Sequence, residues 1–269
     1  MLGAIIGDIV GSRFEFNNIK TKDFEFLHEK CDFTDDTVMT VAIAKALLDC
    51  DDFALSGDAA VKNMQDFGRR YALRGYGGRF GSWLWKENPK PYNSFGNGAA
   101  MRISPVGFLF KSEFEVKMYA KAVTAVTHNH PQGLKGAEAV AMAIFWAKSG
   151  KNKREIYDLA AKNYYPELKG PEASYEYLVE HYGWEYGEGS VTCQSSVPQA
   201  FVCFNESKDF EDAIRTAVSI GGDSDTIGAM VGGIAEAHYG IPEDIEKKAF
   251  TFLPPELKDI IERLREKMK

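Results

Sequence analysis

The sequence predicts an all-α protein: a single compact multi-helix domain spanning residues 1–269. Apolar residues recur at helical spacing in one segment after another. Period-2 alternation is scarce, and no run of evenly spaced strands occurs. Nothing along the chain has the composition of a linker, and no period of tens of residues marks a repeat protein.

The elements follow in chain order. Gly3, Gly7 and Gly11 recur every four residues and so share one face of a first helix. Residues Thr37 to Leu48 are apolar nearly all round, the pattern of a buried helix. Ser112-Glu-Phe-Glu115 has the form of a capping box opening a helix that runs to about Thr127. Pro131, at a first helical position, opens another that runs to Lys148. Helices are further expected over Asn152 to Tyr164, Asp209 to Ile220, Thr226 to Tyr239 and Pro255 to Lys269. Gly228 and Gly232 repeat the small-residue face in the helix beginning near Thr226. Each glycine inside a helix costs about 1 kcal/mol relative to alanine, so their repetition points to close helix–helix packing. Two stretches, Ser12 to Phe33 and the glycine-rich Arg74 to Arg102, read as long loops, and loops of that length are commonly functional.

Composition narrows the function. The net charge of −7 argues against a general grip on nucleic acid, so any polyanion must be held by local features. Cys31, Cys50, Cys193 and Cys203 form no Cys-x-x-Cys pair and read as reduced thiols. The first residues lack a basic segment, and no apolar run approaches the ~18–20 residues of a membrane span. These features lead us to expect a cytoplasmic protein.

Two acidic clusters carry the chemistry. Thr34-Asp35-Asp36-Thr37 and Gly221-Gly222-Asp223-Ser224-Asp225-Thr226 each precede a helix-forming apolar run. An N-cap needs one such residue, whereas each cluster supplies two carboxylates and hydroxyls. Neighbouring carboxylates in apolar surroundings repel one another unless a cation lies between them. Oxygen-only ligands suit hard ions such as Mg²⁺ or Mn²⁺ and disfavour zinc. Ser94-Phe-Gly-Asn-Gly98 offers small residues, free N–H groups and a ring, a composition suited to a diphosphate and sugar, although Asn-Gly is also an ordinary turn dipeptide. His128 and His130, two apart, cannot share a helix face; one suits a substrate contact and the other a helix start. Arg69, Arg70, Arg74 and Arg79 read first as a solvated helix end.

With these motifs in place, the chain resembles the ADP-ribosylglycohydrolase family. The resemblance rests on five segments in family order: Gly3 to Gly11 with Glu15, Thr34 to Thr37, Ser94 to Arg102, Thr127-His128, and Gly221 to Thr226. It implies an all-α fold with two divalent cations, Mg²⁺ or Mn²⁺, between helix N-termini. The metal ligands it implies are Thr34, Asp35, Asp36, Asp223, Asp225 and Thr226. Glu15 is implied as the acidic residue beside the scissile bond, on a mobile loop. Ser94, Phe95, Gly96, Asn97 and Gly98, with His128 nearby, are implied as the phosphate- and ribose-binding residues. The activity implied is cleavage of the N- or O-glycosidic bond between ADP-ribose and an acceptor, either a protein side chain or a small molecule. Ile9 and Glu236 depart from the family's usual Ala and Gly, away from every ligand position. Two other readings share the acidic clusters: a dimetal phosphoester or nucleotide hydrolase, and a non-catalytic binding or structural member of the same fold.

Overall fold

Glycine at every fourth position brings the two central helices into backbone contact. In the computed structural model, which describes residues 1–183 and 191–269, α1 (Leu2–Gly11) is buried along its entire length. It lies against α13 (Ser224–Tyr239), buried from Ser224 to Ala235. A Cβ built on Gly3 would stand 2.2 Å from the Gly232 carbonyl oxygen, one on Gly7 1.9 Å from that of Gly228, and one on Gly11 2.4 Å from that of Ser224. Any side chain there would force the helices apart, which accounts for the repeated use of a poor helix former.

The other helices wrap this pair. They are α2 (Asp35–Asp49), α3 (Ser56–Arg70), α4 (Gly78–Leu84), α5 (Gly98–Met101), α6 (Ser104–Leu109), α7 (Glu113–Ala125), α8 (Pro131–Lys148), α9 (Lys153–Asn163), α10 (Tyr175–His181), α11 (Cys193–Glu206), α12 (Phe210–Ser219), α14 (Glu243–Phe250) and α15 (Pro255–Met268). Among the described residues no strand forms, and the one isolated bridge is antiparallel, between Gly96 and Thr192. The all-α expectation holds. One continuous core includes Ile5, Ile9, Met39, Ile43, Ile144, Phe201 and Ile234.

Most expected helices form close to their predicted ends. Ser112 caps α7 by accepting from the Glu115 N–H at 3.2 Å, but the Glu115 carboxylate takes the Ser112 hydroxyl at 2.6 Å, so the reciprocal backbone bond of a capping box is missing there. The full box occurs instead on α9, between Asn152 and Glu155. The glycine-rich stretch Arg74 to Arg102 is not one loop, because it contains the short helices α4 and α5. Ser12 to Phe33 is irregular, as read. No described helix is long and apolar enough to cross a membrane.

Candidate metal centre and ligand cleft

The two acidic clusters open adjacent helices. Thr34 is the N-cap of α2, its hydroxyl accepting from the Asp36 N–H at 3.3 Å, so Asp35 and Asp36 lie in the first turn. Asp223 is the N-cap of α13, followed at once by Ser224, Asp225 and Thr226. The approach to this second cluster requires glycine: Gly221 and Gly222 have φ of +75° and +73°, a region that side chains rarely adopt. Both helix N-termini direct their free N–H groups and positive dipole ends toward the acids.

Across the gap the clusters touch. The Thr226 hydroxyl donates to Asp36 Oδ2 at 3.1 Å, and Asn97 Nδ2 donates to Asp223 Oδ2 at 2.6 Å. Glu15 reaches Asp225, to which its carboxyl hydrogen-bonds. Two overlapping groups of carboxylate oxygens result, each within 4.8 Å: Asp8, Asp36 and Asp225 in one, Glu15, Asp223 and Asp225 in the other. Asp225 belongs to both.

The acids are buried close together, and this raises their proton affinities. Burial pushes Glu15 up to about 8, reinforced by the charge of Asp225. Asp223 rises to about 6 through burial, although the Asn97 hydrogen bond opposes the rise. Asp35, Asp36 and Asp225 rise well above the carboxylate range, first through burial and then through mutual repulsion. Asp35 is half-buried and lines the cleft. Asp36 Oδ1 is buried and has no hydrogen-bond partner among the described residues. Such an oxygen is costly unless something positive faces it. The donor set, all carboxylate and hydroxyl oxygen, fits hard divalent cations.

Asp8 was not singled out from the sequence. It is fully buried in α1, and its carboxylate accepts from Thr34 N at 3.0 Å, Thr34 Oγ1 at 2.7 Å, Thr37 N at 3.0 Å and the Thr37 hydroxyl. It thus ties α1 to the first turn of α2, accepting the hydrogen bond of a Thr34 hydroxyl that itself accepts from the Asp36 N–H. Its signal was legible, since it is the one acid in a helix otherwise made of apolar residues and glycine. Asn18 was also passed over. Its side chain donates to the Phe14, Glu15 and Gly222 carbonyls at 2.6, 3.0 and 3.0 Å and accepts from the Gly222 N–H at 2.7 Å. It fastens the segment bearing Glu15 to the glycine turn before Asp223, a long-range partnership that no local pattern announces.

A cleft of about 380 Å³ joins these acids to the glycine-rich loop. Glu15, Asp35, Asp36, Asp223, Asp225 and Thr226 form one side, and Ser94, Gly96, Asn97, Gly98 and His128 another. Arg79, Tyr92 and Arg102 also line it. Asn97 N donates to the Val191 carbonyl at 3.0 Å and Cys193 N to that of Phe95 at 2.9 Å, pinning the loop to the start of α11. Of the two histidines, His130 is the N-cap of α8, accepting from Gln132 N at 3.1 Å, whereas His128 is buried at the cleft wall. Phe95 is 41% exposed, its ring centroid 5.2 Å from that of His130. Arg69 and Arg70 close α3, as a helix end should, and Arg74 stacks 3.7 Å from the Phe33 centroid. Arg79, exposed on α4, also lines the cleft.

Fold and cleft together define an all-α protein built around a buried acidic centre. Comparison with known proteins makes the class specific. The model of the ADP-ribosylglycohydrolase family matches residues 1–269, and the chain belongs to that family. It is 26% identical to human ADP-ribosylhydrolase ARH3, over 90% of this chain and 85% of that one. It is also 26% identical to the ADP-ribosylarginine hydrolase Tri1 of Pseudomonas putida, over 93% of this chain and 73% of that protein. A solved structure described as an ADP-ribosylglycohydrolase-related protein complex superposes with a TM-score of 0.71 at 25% identity, covering 100% of this chain and 96% of its own. The family hydrolyses glycosidic bonds of ADP-ribose and depends on paired metal ions.

Proposed function

We propose that residues 1–269 form one catalytic domain that hydrolyses the N- or O-glycosidic bond between ADP-ribose and an acceptor, with Mg²⁺ or Mn²⁺ held by Thr34, Asp35, Asp36, Asp223, Asp225 and Thr226. The observation that carries this reading is one cleft with carboxylates converging on one side and a glycine loop with His128 on the other. The cations would neutralise the acids and supply Lewis-acid polarisation of the ribose hydroxyls.

The chain's own residues do the rest. Cleavage at the anomeric carbon passes through an oxocarbenium-like state, which a carboxylate stabilises. With the cations bound and its carboxyl ionised, Glu15, half-buried beside Asp225, would either stabilise that charge or accept the proton of the attacking water and pass it to the departing acceptor. Asp8 and Asn97 hold Thr34 and Asp223 in place. Ser94 to Gly98 receive the diphosphate, their small residues allowing its oxygens close to the backbone. The names of the human and Pseudomonas relatives support ADP-ribosylated protein, arginine included, as acceptor; ADP-ribosyl small molecules use the same bond. Unpaired cysteines accord with a cytoplasmic setting.

The test follows the products. Incubated with arginine- and serine-linked ADP-ribosyl peptides and Mg²⁺ or Mn²⁺, the protein should release ADP-ribose. Glu15→Gln should lower turnover by about 10²–10⁴-fold, one general acid–base contribution, with metals still bound. Release of inorganic phosphate without ADP-ribose would replace this reading with the phosphohydrolase. Wild-type turnover in Glu15→Gln would remove Glu15 from the chemistry.

A further inference from the structure

Arg102 follows α5 and is almost fully buried, 1% exposed, at the back of the cleft. Among the described residues it forms no ion pair with a carboxylate, and its Nε meets no acceptor. Its hydrogen bonds lead toward one histidine: Nη2 donates to Thr127 Oγ1 at 2.7 Å and lies 3.5 Å from His128 Nδ1. Thr127 Oγ1 in turn lies 2.8 Å from His128 Nδ1.

These distances order the protons. A guanidinium only donates, so Thr127 Oγ1 accepts from Arg102. The Thr127 hydroxyl proton then has two acceptors, His128 Nδ1 at 2.8 Å and the Thr124 carbonyl at 3.5 Å, and the nearer one wins. A proton on Nδ1 would instead point at the hydroxyl while facing the Arg102 donor. Burial, with Arg102 and Arg79 close by, holds the ring well below its ordinary pKa and so neutral. A neutral ring that accepts at Nδ1 carries its proton on Nε2. That nitrogen borders the glycine loop: a Cβ on Gly96 would stand 3.6 Å from it and one on Gly98 3.5 Å, with Ser94 Oγ 3.4 Å from the former.

We infer that Arg102 and Thr127 are positioning residues that fix His128 as its Nε2–H tautomer, so that it donates a hydrogen bond to an anionic oxygen of the ligand and does not act as a base. The identity of that oxygen, on the diphosphate beside Gly96 and Gly98, rests on the function proposed above; the tautomer does not.

Two-bond ¹H–¹⁵N correlation spectra of the ligand-free protein, with His128 assigned by its loss in His128→Gln, read the tautomer directly. A pyrrole-like Nε2 and a pyridine-like Nδ1 at neutral pH are expected; an Nδ1–H ring or an imidazolium would overturn the inference. Arg102 is buried, and its replacement risks the fold, so the relay is tested with Thr127→Val, which keeps shape and removes the hydroxyl. This variant should give a mixed tautomer and bind ADP-ribose about 10- to 100-fold more weakly, the worth of one hydrogen bond to a charged group, with divalent-ion affinity unchanged. Thr127→Ser should restore both. Wild-type tautomer and affinity in Thr127→Val would exclude the relay. A wild-type protein with the expected tautomer but no affinity for ADP-ribose would instead reject the proposed ligand.

Discussion

Gly96 is where a single atom separates a binding loop from a filled one. A Cβ there would meet Ser94 Oγ at 3.4 Å, His128 Nε2 at 3.6 Å and the Val191 carbonyl at 3.6 Å, all tolerable contacts, and the φ of Gly96 is not positive. Gly96→Val should therefore fold and bind divalent ions as wild type does. Its branched side chain would occupy the space beside His128, so ADP-ribose affinity should fall at least about tenfold, a loss of ~1.4 kcal/mol. Calorimetric titration reads both quantities in one preparation. Wild-type affinity for ADP-ribose would remove the loop from the ligand site. Residue-scale legibility was uneven. Glu15, the two acidic clusters and the glycine loop stood out because local patterns mark them. Asn18 and Arg102 did not, because their roles arise from partners as far as 204 and 25 positions away, whereas Asp8 was marked by its place in an apolar helix and its role set by Thr34 and Thr37.

At the scale of elements, the contact of α1 with α13 sets the distance between Asp8 and Asp225. Gly7→Ala would place a methyl group 1.9 Å from the Gly228 carbonyl oxygen, a backbone atom that cannot swing aside. Overpacking of this kind typically costs 1–3 kcal/mol, and a backbone obstacle should put Gly7→Ala at about 3 kcal/mol or more. Gly57→Ala in α3, where the nearest atoms lie at 3.5 Å, should cost nothing comparable. Urea unfolding compares the pair, and equal midpoints would show that the glycine face is not what holds the helices together. The long apolar helices were legible because they are apolar nearly all round and buried over long continuous stretches. The α3 helix was not, since its buried face is only Ser56, Ala60, Asn63, Met64, Phe67 and Gly68. Nor was α11, where Pro198 lies inside the helix and reads as a breaker; tertiary packing of Val197, Phe201 and Phe204 overrides the missing N–H.

For the whole molecule, the acidic centre couples folding to pH and metal. Glu15 rises from an ordinary 4.5 to about 8, and Asp8 and Asp223 from 3.8 to about 6. A carboxyl raised in the folded state binds more protons there than when unfolded, so its stabilisation is complete at low pH and fades as pH rises through the folded value. The metal-free protein should lose stability as pH climbs from about 4 to about 8. Saturating Mg²⁺ or Mn²⁺ should stabilise it most at the upper end, where the acids are ionised. Thermal unfolding with and without metal across this range checks the sign, and a metal-free protein that gains stability between pH 5 and 8 would refute it.

The acids of the α2 and α13 N-termini are expected to form one divalent-metal centre. Isothermal titration of Mg²⁺ and Mn²⁺ into the wild-type protein, Asp36→Asn and Asp225→Asn, each shown to be folded by circular dichroism, tests it most directly. Saturable binding in the wild type, severely weakened in both variants and most in Asp225→Asn because Asp225 belongs to both carboxylate groups, is the predicted result. Unchanged ion affinity in both variants would contradict it.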